Sequence, residues 1–132
     1  MATKQLLRTQ RDQWNGTGGL WAQGFRSGNT VFLQGQTGLT LDGEVVHPYD
    51  PAGQARQALE NIRTLMELAG GSLADVVKIV VYVTDRAHRR LAYPVIAEMF
   101  GDLKPCSTGL IVSGLALPEL VVEIDAYGLI DD

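Results

Sequence analysis

The 132 residues contain one cysteine, Cys106. No disulfide can close within the chain, and a reducing, cytoplasmic setting is the simplest expectation. Histidine is nearly as scarce: His47 and His88 stand far apart, and with no second cysteine nothing has the spacing of metal ligands. Basic residues are outnumbered, 11 Lys and Arg against 15 Asp and Glu, for a formal charge of −4. No basic block exceeds two adjacent residues, as at Arg89-Arg90. The electrostatic footprint of a nucleic-acid binder is therefore missing. No apolar run approaches the roughly 20 residues that cross a bilayer. The opening Met1-Ala2-Thr3-Lys4-Gln5 has no hydrophobic signal region. No internal repeat suggests a solenoid. The length suits one domain with one core.

What is present is an ordered run of elements after a weak beginning. Residues 1–19 are polar and end in Asn15-Gly16-Thr17-Gly18-Gly19, which reads as a loop or loosely held arm. The expected division is an arm over 1–18 and a domain over 19–132. Leu20 to Phe25 and Thr30 to Gln34 read as strands joined through Arg26-Ser27-Gly28-Asn29. Leu41-Asp42-Gly43-Glu44 is a further turn. Asp50-Pro51 then opens a helix, with Asp as cap and Pro in the first helical position. Ala55, Ala58, Leu59, Ile62, Leu65, Met66 and Ala69 recur at three and four, which marks a buried stripe. Gly70-Gly71 stops that helix.

The strand Val76–Val83 is apolar on both faces and wants cover on both sides. One helix layer covers one side; in so short a chain a partner subunit is a source of the other. Asp85 is expected to cap a second helix, roughly Arg86 to Phe100, with Leu91, Val95, Ile96 and Met99 as its apolar stripe and Pro94 kinking or restarting it. Leu110–Val112 and Leu120–Tyr127 supply the last two strands. The order predicts an α+β fold, a sheet with two helices on one face.

Glu123 interrupts the apolar run of the last strand. A carboxylate among Val and Ile is costly to bury in charged form unless something pairs with it. Such a group often has a raised pKa and can hold or activate a water. Strand alternation also allows a plainer account. Leu120, Val122, Ile124 and Ala126 share one face, and Val121, Glu123, Asp125 and Tyr127 share the other, which is free to be wet.

Several segments together resemble the Rid family, also called YjgF-type proteins. Gly19-Leu20-Trp21-Ala22-Gln23-Gly24, Gly28-Asn29 and Leu33-Gln34-Gly35-Gln36 resemble its opening. Gln54 to Ile62 is similar to its first helix, Ala74-Asp75-Val76-Val77-Lys78 with Val83-Thr84-Asp85 to its central strand and exit, and Val122 to Ala126 to its last strand. The resemblance implies a chorismate-mutase-like mixed sheet, assembled as a homotrimer around a central barrel. It also implies clefts between subunits and cofactor-free hydrolysis of imines or enamines to a keto compound and ammonia. The cleft aromatic falls at Trp21, where Leu20 replaces the family's usual Pro. The ligand-facing glycine falls at Gly35, the carboxylate at Glu123, and a helix position often held by Asn at Tyr93. After Pro105 the best-known deaminases carry an Arg that grips a substrate carboxylate. Ser107 stands there, without the charge or the fork of a guanidinium. The resemblance is thus to subgroups lacking that Arg.

Three functions follow as expectations. The first is hydrolysis of a reactive C=N compound outside the ordinary α-imino acids, with Glu123 as base. The second is a trimeric small-molecule binder or sensor without turnover, favoured by the missing Arg and the bulk of Trp21 and Tyr93. The third, an endoribonuclease or translation inhibitor, conflicts with the acidic balance. Cys106, Ser107 and Thr108 complete the candidate binding set. Each also has an ordinary structural role: Trp21 and Tyr93 in packing, Cys106 as a small buried residue, and the two hydroxyls at a strand start. Neither nucleic acid nor a membrane is expected as a partner.

Overall fold

The computed structural model describes residues 3–9 and 21–131. Six strands form one sheet: β1 (Gln5–Leu7), β2 (Gly24–Ser27), β3 (Thr30–Leu33), β4 (Val76–Val83), β5 (Cys106–Ile111) and β6 (Val122–Leu129). Their order across the sheet is β1-β2-β3-β6-β4-β5. All neighbours are antiparallel except β4 and β5, which run parallel. That pair needs a long crossover, and α2 (Arg89–Phe100) provides it. α1 (Pro51–Leu68) lies between β3 and β4 in the chain and packs on α2 and β6.

The expected arm contains structure that the sequence did not announce. Gln5–Leu7 pairs with β2, and Leu7 is buried in the core. Three residues are too few to display an alternation, so only the docked position of Leu7 reveals the strand. Leu20, expected to start the next strand, lies outside the described residues; β2 begins at Gly24.

The first helix forms as its residues dictate. The Asp50 carboxylate accepts the Gly53 N–H at 3.1 Å, and Pro51 occupies the first turn, where its missing N–H costs nothing. At the far end Gly70 takes φ +94°, and the Gly70 and Gly71 amides bond back to Glu67 and Met66 carbonyls. This is a Schellman ending, which needs a residue that tolerates the left-handed region. Every residue of the expected stripe is buried.

The second helix departs from expectation in two ways. Asp85 caps a tight turn, Arg86–His88, rather than the helix itself. The helix then runs from Arg89 to Phe100 without a restart at Pro94. Its buried face is Ala92, Ile96 and Phe100, while Leu91 is exposed. Ala92, absent from the expected stripe, is completely buried; its small side chain gives little apolar signal in the sequence.

Both helices cover one face of the sheet. Val31, Leu33, Ile79, Val81, Val83, Val122, Ile124 and Ala126 point into the same core as the helical stripes. The opposite face has no cover among the described residues. Phe25, Phe32, Leu110, Tyr127 and Leu129 remain exposed there, and Phe32 and Tyr127 meet edge to face at 6.0 Å.

A buried side-chain amide ties the helix layer to the start of β6. Gln54, fully buried on α1, donates through Nε2 to the His47 carbonyl at 2.9 Å and the Glu119 carbonyl at 2.7 Å. Its Oε1 accepts from the Val121 N–H at 2.8 Å and the Val122 N–H at 3.3 Å. Gly38 is bare where Gln54 passes: a Cβ there would lie 2.6 Å from Gln54 Cγ. Gln54→Leu should leave these backbone groups unpaired and cost at least about 2 kcal/mol, read by chemical denaturation. A loss below about 0.5 kcal/mol would show that the amide is not what holds this junction.

Candidate functional site

The carboxylate of β6 sits where two segments cross. Residues 34–36 leave β3 and bridge to β6: the Gln36 N–H bonds the Ile124 carbonyl at 2.9 Å, and the Ile124 N–H bonds the Gln36 carbonyl at 2.8 Å. This lays Gly35 against Glu123. A Cβ at Gly35 would overlap Glu123 Oε2 and fall 2.7 Å from Asp125 Oδ1. Glycine is needed because the carboxylates occupy the space a side chain would take. Gln36 is itself buried, and its Nε2 donates to the Gln34 carbonyl at 3.0 Å and to Gln23 Oε1 at 3.2 Å. The loop is thereby held in place from behind.

Glu123 and Asp125 lie two residues apart on the open face, so their charges are neighbours. Tyr82, opposite Glu123 in the β4–β6 register, donates its hydroxyl to Asp125 Oδ2 at 2.7 Å. Burial raises the Glu123 pKa above its ordinary value, and repulsion from Asp125 raises it further. The Tyr82 phenol is pushed up to about 12, chiefly by its bond to Asp125 and then by burial. The arrangement is a half-buried, proton-avid carboxylate backed by a second one whose charge is partly held by a phenol.

The remaining candidates do not all gather there. Thr108 and Cys106 pair with Val80 and Lys78, which puts them on the open face with Glu123. Lys78 Nζ donates to Thr108 Oγ1 at 2.7 Å. Cys106 is exposed, where a small buried residue was one of the expectations. Ser107 pairs with Ile79 and faces the other way. With Tyr93, Ile79, Phe100 and Pro105 it lines a cavity of about 310 Å³ on the helix side. Ser107 and Thr108 therefore cannot serve one pocket of a single chain, although they are adjacent in sequence. Trp21 is exposed at the first residue of the described stretch 21–131. Among the described residues no group of His, Cys, Asp and Glu could hold a metal ion.

Sequence reasoning did not single out Asp125, Tyr82, Lys78 or Arg89. The i, i+2 spacing of Glu123 and Asp125 was a usable signal for the first. Tyr82 and Lys78 emerge only from strand register, and Arg89 only from the position of α2 above β5.

With this geometry in view, comparison with known proteins decides the family. A family model described as Endoribonuclease L-PSP matches residues 16–130. The chain belongs to that family. A RutC family protein of Pyrococcus horikoshii is 39% identical over 111 residues, covering 82% of this chain and 85% of the relative. The fold matches a member of the YjgF/YER057c/UK114 family from Mycobacterium tuberculosis at a TM-score of 0.83 and 30% identity, over 97% of this chain and 100% of that one. It also matches RidA from an Antarctic Psychrobacter bacterium at a TM-score of 0.81 and 32% identity, over 96% and 99% of the two chains. The resemblance to Rid, or YjgF-type, proteins is thus a relationship, and the α+β sheet with two helices is the fold of this family. No helix among the described residues is long and apolar enough to cross a membrane.

The raised pKa of Glu123 has a measurable consequence. The folded chain holds this proton more tightly than the unfolded chain does. Stability therefore falls as pH rises through the ordinary value of 4.5 toward the raised one, and is level above it. Glu123→Gln should gain stability relative to wild type as pH is raised from about 4 to neutrality. Denaturation curves that keep the same difference between the two proteins across that range would contradict the assignment. Tyr82 behaves alike at the alkaline end, its contribution being lost between 10 and about 12.

Proposed function

We propose that the protein is a homotrimer that hydrolyses a reactive imine or enamine in clefts shared by neighbouring subunits. The observation that carries this is the division of candidate residues between two faces of one sheet. Glu123, Gly35 and Thr108 face the uncovered side, while Ser107 and Tyr93 face the helix side at edge strand β5. One chain cannot bring these groups together, but the β5 edge of one subunit set against the open face of the next can. The exposed Phe25, Phe32, Leu110, Tyr127 and Leu129 favour the same assembly, since an apolar face of this kind marks an interaction surface.

The chemistry follows from Glu123. Its raised pKa makes it a better proton acceptor than an ordinary carboxylate. It takes a proton from a water whose oxygen adds to the imine carbon, giving a carbinolamine. Glu123 returns that proton to the imine nitrogen, then takes the carbinolamine hydroxyl proton and hands it to the same nitrogen, so that the C–N bond breaks, ammonia leaves and the carbonyl forms. Gly35, bare beside the carboxylate, leaves the room that Glu123 itself needs to face the cleft. No cofactor enters. Ser107 and Thr108 contribute neutral hydroxyls from opposite sides of the shared cleft, and Trp21, Tyr93 and Cys106 shape it. The chain falls with Rid proteins lacking the carboxylate-binding Arg, Ser107 standing two residues after Pro105.

A second function has its own support. Ser107 lacks a guanidinium, and Trp21 and Tyr93 are bulky, so a trimeric binder without turnover fits the same cleft. It differs in one readout: a ligand raises the melting temperature and no ammonia appears. RNA cleavage is disfavoured despite the family's description. The formal charge is −4, and His47 and His88 lie in separate places, one near the start of α1 and one before α2.

Glu123→Ala should lower ammonia release from a responsive imine by roughly two to four powers of ten while leaving a three-subunit mass in sedimentation. Ammonia release equal to wild type would remove Glu123 from the mechanism. A monomeric mass for the wild-type protein would remove the shared cleft.

A further inference from the structure

The helix-side wall of the proposed cleft holds a guanidinium that no carboxylate among the described residues answers. Arg89, at the start of α2, lies with its Cζ 4.3 Å from the centre of the Tyr93 ring, and its Nη1 donates to the Tyr93 hydroxyl at 3.1 Å. Among the described residues this is its only hydrogen bond, and it takes part in no ion pair. A half-buried arginine normally pairs with an acid or a carbonyl; here a ring supports one face and a phenol fixes one nitrogen. The remaining N–H donors are left for something else.

The strand beneath has made room for this pair. Gly109 on β5 is opposite Val81 and so faces the helices. A Cβ there would overlap both Arg89 Nη1 and the Tyr93 hydroxyl. Ser107 is two residues back on the same face, roughly 6.5 to 7 Å away along the strand. Tyr93 links the two positions, since it also lines the cavity of about 310 Å³ with Ser107. On the outer side Arg86, Arg89 and Arg90 border a second hollow of about 410 Å³. Arg89 thus has two further arginines as neighbours in a chain whose overall charge is negative.

We propose that Arg89, held by Tyr93 over Gly109, binds the anionic group of a small substrate. The cleft therefore selects negatively charged molecules although the strand position at Ser107 has no charge. This rests on the shared-cleft reading above and adds the substrate class to it. A carboxylate and a phosphate both present the oxygen pair that a guanidinium fork accepts. Arg89 is a binding residue and takes no part in proton transfer, which stays with Glu123.

The test uses the full-length protein and stable probes. Pyruvate serves as a small, stable carboxylate; methyl pyruvate is its neutral counterpart; inorganic phosphate is the second anion. Calorimetric titration should show pyruvate or phosphate binding to wild type. Arg89→Met should weaken the anion about ten- to a hundredfold, as expected for a lost charge-assisted bond, and Arg89→Lys should restore part of it. Methyl pyruvate should bind weakly and ignore Arg89. Tighter phosphate than pyruvate would assign the anion to a phosphoryl group; the reverse would assign it to a carboxylate. Gly109→Ala, which pushes the pair aside and leaves the charge in place, should weaken the anion too. It serves equally if Arg89→Met does not fold. No binding of either anion by wild type, or equal affinity in wild type and both variants, would overturn the proposal. Arg89-dependent binding without ammonia release from any imine would retain the anion site and reject hydrolysis. Ammonia release that needs Glu123 but not Arg89 would do the opposite.

Discussion

Gln54 uses both ends of one amide to join three stretches of chain that are far apart in sequence. Its NH2 group reaches the carbonyls of His47 and Glu119, and its oxygen takes the Val121 and Val122 amides. These bonds form on a side chain that is completely buried. Each is worth little net, but leaving any of these groups unpaired in that setting is expensive. The consequence is positional. The chain entering β6 has one permitted height against α1, and Glu123 follows two residues later. A one-residue slip would turn the carboxylate into the core and Ile124 out to the open face. Helix packing and the placement of the acid are therefore one problem with one solution.

The sheet's two faces then divide the labour. The helix side is filled by aliphatic residues and by a cavity at the edge where Tyr93, Ser107 and the end of α2 meet. The open side gathers a carboxylate pair, a phenol, an ammonium and a row of exposed apolar groups. Tyr82 and Lys78 satisfy Asp125 and Thr108 but leave Glu123 without a hydrogen-bond donor among the described residues. That inequality raises the Glu123 pKa, because burial and a neighbouring negative charge act on it without compensation. The same unpaired condition recurs with opposite sign on the helix side, where Arg89 rests on a ring rather than an acid. Unanswered groups of both signs at the edges of one proposed cleft are what a polar ligand would complete.

Much of this was legible from the residues. The α1 stripe, its Asp50-Pro51 start and its Gly70-Gly71 stop depend on local spacing and on backbone conformations few residues favour, so sequence alone was enough. The apolar strand Val76–Val83 and the alternation around Glu123 were readable for the same reason, since side chains in a strand repeat every two residues. Family membership was legible because several weak segments occur in the right order. Less legible were β1, which has no pattern of its own, and the face of α2, where Ala92 matters more than Leu91.

The residues themselves determined α1 with its two ends, the apolar strand Val76–Val83, and that a carboxylate interrupts the last strand, because these rest on patterns within a few positions along the chain. Only the folded sheet decided that Ser107 and Thr108 look in opposite directions and that Tyr82 meets Asp125. It also decided that Arg89 lies over Gly109, since register and helix placement join positions that share no local pattern.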